Sequence, residues 1–312
     1  MTLIVSVQGP DTIWMLADRR LTYNTGRSPR DDARKMLLLE ATDGVAILGY
    51  AGLGATMLGT EPSDWMGALL RGRRCALEQY LGFVAEAMKK EFPRHLLRIL
   101  GGGPTHSIII PSFVGADPRL YSIDLAYSAD RKKTFFRYTR HTAHTPIGTS
   151  RPVRVALGGT GGLRLARRKS KKWLRDLLRL VRAHDLDRVS ALTVADHLAQ
   201  LNTEVHAEDH TVGPSCIVAW RYSKEGVHKG GGADQLYSAT GRETGKLDDI
   251  GIHGVPTIAC GYDVGAIAGA TVPLIFPQML EAMRAKAPFK LDEEALNTAL
   301  SKLPNEPDEK LR

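Results

Sequence analysis

Thr2-Leu3-Ile4-Val5-Ser6-Val7-Gln8-Gly9-Pro10-Asp11-Thr12-Ile13-Trp14-Met15-Leu16-Ala17-Asp18 sets two apolar, β-branched runs either side of a Gly-Pro-Asp turn. Runs of that kind bounded by turn residues read as a β-hairpin. With Pro10 at the turn's centre, residues whose numbers sum to about 20 should oppose each other, which sets Thr2 against Asp18. A second hairpin follows, Met36 to Glu40 and Val45 to Tyr50, joined through Thr42-Asp43-Gly44. There the opposing numbers should sum to about 87, setting Lys35 against Gly52. Each hairpin is thus expected to bring two useful groups to its open end.

Outward from these hairpins the apolar spacing changes. Leu77, Tyr80, Leu81, Val84, Ala87 and Met88 recur at helical intervals, so Ser63 to Phe92 should hold two helices. His106 to Phe113 and Leu120 to Ala126 flank another turn, and Thr134 to Tyr138 continues the β pattern. After Gly158-Gly159-Thr160-Gly161-Gly162, Leu163 to Arg182 reads as one basic amphipathic helix. Ser190 can cap the next, running to about His206, and Pro214 to Trp220 is a late strand. Helices segregated from mostly antiparallel strands give an α+β class, expected as a four-layer α-β-β-α sandwich with a C-terminal extension. Residues 1–221 form the expected domain. Residues 222–312 form an extension of unassigned role, with a glycine-rich Lys229 to Ala233, a small apolar Gly251 to Val272 and one more helix over Leu291 to Leu303.

The 312 residues carry 43% hydrophobic and 24% charged residues, ordinary globular usage that excludes a disordered or fibrous chain. A net charge of +8 permits an anionic partner without requiring one. Cys75, Cys216 and Cys260 are odd in number and far apart, so no disulfide framework is expected and a cytoplasmic setting fits. The amino end reads as having no basic leader, and Pro273 and Pro277 interrupt the longest apolar stretch, Val264 to Leu280. No membrane span is therefore expected.

The chemistry follows from residue 2. A Thr hydroxyl needs a base, and an N-terminal Thr carries its own in the free α-amine, once Met1 is removed. That amine has a reference pKa of about 7.7–8.0, near operating pH. A nearby Lys ammonium lowers it, and an Asp beside that Lys holds the cation in place. A glycine-rich turn adds a backbone N–H able to approach a developing oxyanion.

Thr2-Leu3-Ile4-Val5-Ser6-Val7, Ala17-Asp18-Arg19-Arg20, Ala33-Arg34-Lys35 and Gly49-Tyr50-Ala51-Gly52 together resemble the proteasome β-subunit family, especially its bacterial HslV branch. The resemblance covers about Thr2 to Arg221. It implies an N-terminal nucleophile hydrolase fold, a threonine peptidase activity and a homo-oligomeric ring or barrel around an enclosed chamber. It also takes in small bacterial relatives, Anbu-like among them, that mature by losing only the initiator Met. By the same likeness Thr2 is nucleophile and base, Asp18 and Lys35 tune it, and Gly52 donates to the oxyanion. Thr160 stands in a Gly-Ser-Gly loop position and Asp209 in that of a later active-site Asp. The hydroxyl slot after that Asp falls on Val212, with Thr211 adjacent. Arg20, Thr22, Tyr50 and Gly54 would bind the peptide or unfolded-protein substrate. No cofactor is implied, and an enclosed chamber would call for an ATPase unfoldase.

Three other patterns have plainer readings. His206-Ala207-Glu208-Asp209-His210 puts two histidines four apart, but Gly213-Pro214 ends the helix and no third metal ligand is evident, so no metal is expected. The glycines of 158–162 lack the Lys-Ser/Thr that completes a phosphate loop. Arg164 to Lys172 has no interleaved aromatics, so it reads as a solvated or docking face rather than a nucleic-acid site. Two alternatives stay open beside the peptidase: an amidase acting on a small-molecule amide, and a non-catalytic ring or scaffold subunit that keeps Met1.

Overall fold

In the computed structural model, residues 2–21, 28–52, 61–96, 106–127, 134–141, 153–223, 235–238, 241–242 and 255–307 are described. β1 (Ile4–Gln8) and β2 (Thr12–Asp18) form the first hairpin, buried along its whole length. Its residues are apolar at successive positions, because both faces of the sheet are covered. Leu3, Val5, Val7, Trp14 and Leu16 join one apolar cluster, while Ile4, Ile13, Met15 and Ala17 join another.

The register differs from the one read in sequence. Ile4 opposes Ala17, because the turn is Pro10-Asp11, closed by the Gly9 N–H on the Thr12 carbonyl. Thr2 therefore has Arg19 at its level, and Asp18 lies opposite Leu3. In the second hairpin, β3 (Met36–Glu40) and β4 (Gly44–Ala51), Met36 opposes Gly49. Its turn is Thr42-Asp43, closed by the Ala41 N–H on the Gly44 carbonyl, so Lys35 faces Tyr50 rather than Gly52.

The strands build two sheets. β5 (Ser107–Val114), β6 (Asp117–Tyr127) and β7 (Thr134–His141) extend the β3–β4 hairpin as antiparallel neighbours. β8 (Arg154–Gly158) pairs with β1, and β9 (Cys216–Tyr222) with β2. Sequence reading missed β8, a five-residue strand that begins on an arginine and runs directly into the glycine cluster. β10 (Gln235–Ser238) and β11 (Gly241–Arg242) continue from β9, while β12 (Thr257–Ala259) and β13 (Tyr262–Asp263) add to β3. β12 runs parallel to β3, so residues beyond Arg221 contribute strands to both sheets.

Helices line the sheets. α1 (Pro62–Leu70) and α2 (Leu77–Leu96) pack Trp65, Leu69, Tyr80 and Val84 onto Leu37, Leu48 and Ile110 of the second sheet. α3 (Gly159–Arg167), α4 (Lys172–Asp185) and α5 (Ala191–Glu208) pack Leu165, Leu177 and Leu198 onto the first sheet. The single basic helix expected over Leu163 to Arg182 is thus two, broken at Arg168, whose N–H turns back to the Leu165 carbonyl and whose guanidinium pairs with Glu204 and Glu208. The apolar rhythm survives the break because inward positions continue on both sides. Ser190 caps α5 as expected, accepting from the Thr193 N–H at 3.2 Å. A third cluster joins Ile4, Met15 and Ile217 of the first sheet to Leu38, Ile47 and Ile109 of the second. The fold is a mixed α+β fold.

The carboxyl-terminal part holds α6 (Val264–Ala285) and α7 (Glu293–Ser301). Pro273 and Pro277, expected to interrupt the apolar stretch, lie inside one continuous helix. α6 is long and apolar enough by composition to cross a membrane, yet none of its residues is buried.

Candidate active site

The open ends of the two hairpins meet where β1 begins, β2 ends and β3 begins. Asp18 is the last residue of β2 and Lys35 directly precedes β3. Lys35 Nζ donates to Asp18 Oδ1 at 2.9 Å and to Thr2 Oγ1 at 3.2 Å. Thr2, Asp18 and Lys35 are 4%, 0% and 2% exposed, so the interaction is formed away from bulk water. Burial pushes the Lys35 ammonium below its ordinary value, and the facing Asp18 carboxylate opposes that push.

A buried carboxylate needs donors on every lone pair. Asp18 Oδ1 also accepts the Leu3 N–H at 2.8 Å, and Oδ2 accepts the Arg20 N–H at 3.1 Å and the Gly213 N–H at 3.0 Å. The last bond pins the α5–β9 turn to the site. Asn202, fully buried on α5, holds the same turn by donating to the Gly213 carbonyl at 3.1 Å. Sequence reading took Gly213-Pro214 only as a helix stop and passed over Asn202. Asn202 gives no signal in the sequence, because its burial is a property of the fold.

The glycine cluster is explained by Thr2 itself. Gly159 sits at φ +72°, and a Cβ there would lie 2.1 Å from the Thr2 carbonyl oxygen. Gly161, in the first turn of α3, donates its N–H to that carbonyl at 3.1 Å. A Cβ on Gly161 would come within 3.0 Å of the Leu3 Cβ. The β8–α3 turn thus passes directly over the backbone of residue 2, and glycine is what fits there. Thr160, between them, has its hydroxyl buried with no partner among the described residues.

The remaining expected site residues fall at varied distances from the triad. Gly52 follows β4, and a Cβ on it would meet Tyr50 Oη at 2.6 Å and His106 Nδ1 at 2.7 Å. No hydrogen bond joins Gly52 to Thr2 among the described residues. The Tyr50 hydroxyl bonds His106 Nδ1, and the Tyr50 ring belongs to the cluster under α1 and α2. His106 carried no signal in the sequence. The Arg20 guanidinium clamps Asp31 bidentately, at 2.6 and 2.7 Å, and also reaches the His210 carbonyl. Thr22 and Gly54, like Met1 and the Lys229 to Ala233 stretch, lie outside the described residues.

Asp209 ends α5, and its Oδ1 accepts the Thr211 N–H at 3.0 Å and hydroxyl at 2.5 Å. Burial works to raise this carboxyl, but the two Thr211 bonds and nearby Arg164 hold it below its usual range. Val212 is fully buried against Gly161, so the hydroxyl in this turn is that of Thr211, and it serves Asp209. His206 Nδ1 meets the Val212 carbonyl at 2.8 Å. No group of three His, Cys, Asp or Glu fit to hold a metal occurs among the described residues.

No family model matches the sequence, and no curated protein matches it. Solved structures that match the chain include an Anbu Gly-1 mutant from Hyphomicrobium sp. strain MC1, 13% identical, covering 77% of this chain and 89% of that one, with a TM-score of 0.45. They also include the helical assembly of the Anbu complex from Pseudomonas aeruginosa, at 14% identity, 93% and 99% coverage and a TM-score of 0.46. Anbu from Yersinia bercovieri, described as an ancestral β-subunit, is 11% identical over 70% of this chain and 81% of that one, with a TM-score of 0.43. The resemblance to the proteasome β-subunits and their HslV branch is therefore corrected. No match at the level of sequence supports it, and the structural neighbours are Anbu proteins, proteasome-like but a distinct family. With identities this low and TM-scores below 0.5, the likeness carries no argument about chemistry.

Two outcomes follow from the geometry. Gly159→Ala should push the Thr2 carbonyl away and lower any Thr2-dependent rate by at least about tenfold, with far-UV circular dichroism unchanged. The Arg20 clamp holds the Asp31 carboxyl below its usual value, chiefly through the side-chain hydrogen bond, so its stabilisation is present above the unfolded pKa of 3.8 and is lost as pH falls through the folded one. Asp31→Asn should cost about 0.2–1 kcal/mol at neutral pH and flatten the acid limb of stability, read by urea unfolding across pH.

Proposed function

We propose that this chain is a hydrolase of amide bonds whose nucleophile and base both belong to residue 2, exposed by removal of Met1. The observation that carries this reading is the buried Lys35 ammonium held between Thr2 Oγ1 and Asp18 Oδ1. A cation within hydrogen-bond reach favours the alkoxide-like form of the hydroxyl and disfavours protonation of the adjacent amine. As Oγ1 attacks a carbonyl carbon, its proton passes to the α-amine of Thr2. The tetrahedral centre collapses to an ester, and the leaving amine takes the proton. Water, activated by the same α-amine, then adds to the ester and releases the acid, restoring Thr2.

The finer reading is a threonine peptidase acting on peptides or unfolded protein inside a homo-oligomeric, self-compartmentalising assembly in the cytoplasm. Gly52 is its oxyanion donor, and Thr160 and Asp209 are supporting groups. Two sheets sharing an apolar cluster, each with helices on its other face, support a four-layer α-β-β-α sandwich as the frame. A small-molecule amidase would use the same nucleophile.

One observation favours a second reading, a non-catalytic ring or scaffold subunit. Thr2 is only 4% exposed, and a carboxylate saturated by four donors beside a buried lysine also suits a purely structural pair. Hydrolysis of fluorogenic peptide amides and simple acyl amides near pH 8 separates these readings. Thr2-dependent turnover should fall at least about 10³-fold in Thr2→Ala, with the elution volume of the assembly unchanged. Equal rates in Thr2→Ala and the parent would leave the scaffold reading standing.

A further inference from the structure

Among the described residues, α6 leaves more large apolar side chains exposed than any other element, Val264, Val272, Phe276 and Met283 among them. Val272, Phe276 and Met283 are 40%, 50% and 68% exposed. A contiguous exposed apolar patch of this kind is a candidate contact surface. Gly265, Gly269, Val272, Phe276, Met279 and Met283 follow one another at steps of four and three. That 3.5-residue rhythm puts all six on one face, the seam of a helix pair. The helix's only charged residues, Glu281 and Arg284, lie off that seam and cancel.

The seam is self-complementary in one direction. Laid antiparallel about Leu274, Gly265 meets Met283 of a second copy, Gly269 meets its Met279, and Val272 meets its Phe276. Each long side chain then lies over a smaller residue, as close packing requires. Charge points the same way. Two copies of a chain carrying +8 repel across their basic faces, among them α4 with Arg175, Arg179 and Arg182, and the neutral α6 face removes that cost.

A bilayer is the competing occupant, and the connectivity opposes it. The chain enters α6 from β13, with the Gly72 N–H bonded to the Gly261 carbonyl at 2.7 Å. After α7 it returns to the same place, where Arg71 Nε donates to the Glu306 carbonyl at 2.9 Å. α7 lies against α6 and carries Glu293 and Glu294 in its first turn, after an Asp292 cap. A crossing would drag these carboxylates into hydrocarbon.

We propose that α6 is a homotypic interface, paired antiparallel with α6 of a second copy of this chain. Its 22 residues span about 33 Å and present a strip of roughly 350 Å², whereas a stable pair takes about 800 Å² from each partner. The strip alone falls short of that area, and the proposed contact takes in the exposed Phe289 and Leu291 that follow α6. The interface does not depend on the Thr2 chemistry.

Sedimentation velocity of the full chain at micromolar concentration tests it. The parent should run larger than a monomer, and Phe276→Asp with Met283→Asp should weaken self-association by at least about tenfold, with unchanged circular dichroism. A benzophenone amino acid at position 276 should cross-link to the Val272 region of another copy. Three results would overturn the proposal: a monomeric parent, self-association untouched by the double substitution, or cross-links mapping elsewhere. Flotation with phosphatidylcholine vesicles that is lost in the double variant would replace it with a membrane contact.

Discussion

A lysine ammonium buried between a carboxylate and a hydroxyl is the constraint around which the two hairpins are set. Removing a cation from water costs several kcal/mol unless it is closely paired. Lys35 recovers that cost only if Asp18, at the end of β2, lies within hydrogen-bond reach as β3 begins. Asp18 in turn needs donors, and it draws three backbone N–H groups, from Leu3 ahead of β1, from Arg20 just beyond β2 and from Gly213 in the α5–β9 turn. The Asp18 carboxylate therefore ties together residues 195 positions apart in the chain. Thr2 is held in the same grip by Lys35 on its hydroxyl and Gly161 on its carbonyl.

Much of this was legible in the sequence, and the reason is local. Thr2, Asp18 and Lys35 stand at the ends of short hairpins, whose pairing is set by a few turn residues. Even so, both registers were misjudged, because the turns close on Pro10-Asp11 and Thr42-Asp43 and not on the residues assumed at their centres. Asp18 and Lys35 still meet across the two hairpins, the lysine reaching Asp18 Oδ1 at 2.9 Å from the start of β3. Gly52 follows β4 beside the Tyr50–His106 pair, which leaves no room there for a side chain.

What stayed hidden was non-local. β8 is too short and too polar at its start to announce itself, yet it pairs with β1 and launches the glycine turn over Thr2. The glycines of that cluster read as a turn or a phosphate loop in isolation, and only the approach of the Thr2 backbone explains them. Gly213 and Asn202 are ordinary residues until the α5–β9 turn is folded against Asp18. The prolines of α6 misled in the opposite sense. Both Pro273 and Pro277 lie inside one continuous helix.

The central claim is that residue 2 becomes the amino end of the mature chain and reacts through its hydroxyl, with Lys35 steadying it. Intact-mass and peptide-level mass spectrometry of the purified protein, before and after treatment with a peptide epoxyketone, tests this most directly. That reagent needs both a free α-amine and a hydroxyl on one residue. The account predicts a chain beginning at Thr2 that gains a single adduct there. A chain that retains Met1 and takes up no reagent between mildly acid and mildly alkaline pH would contradict it.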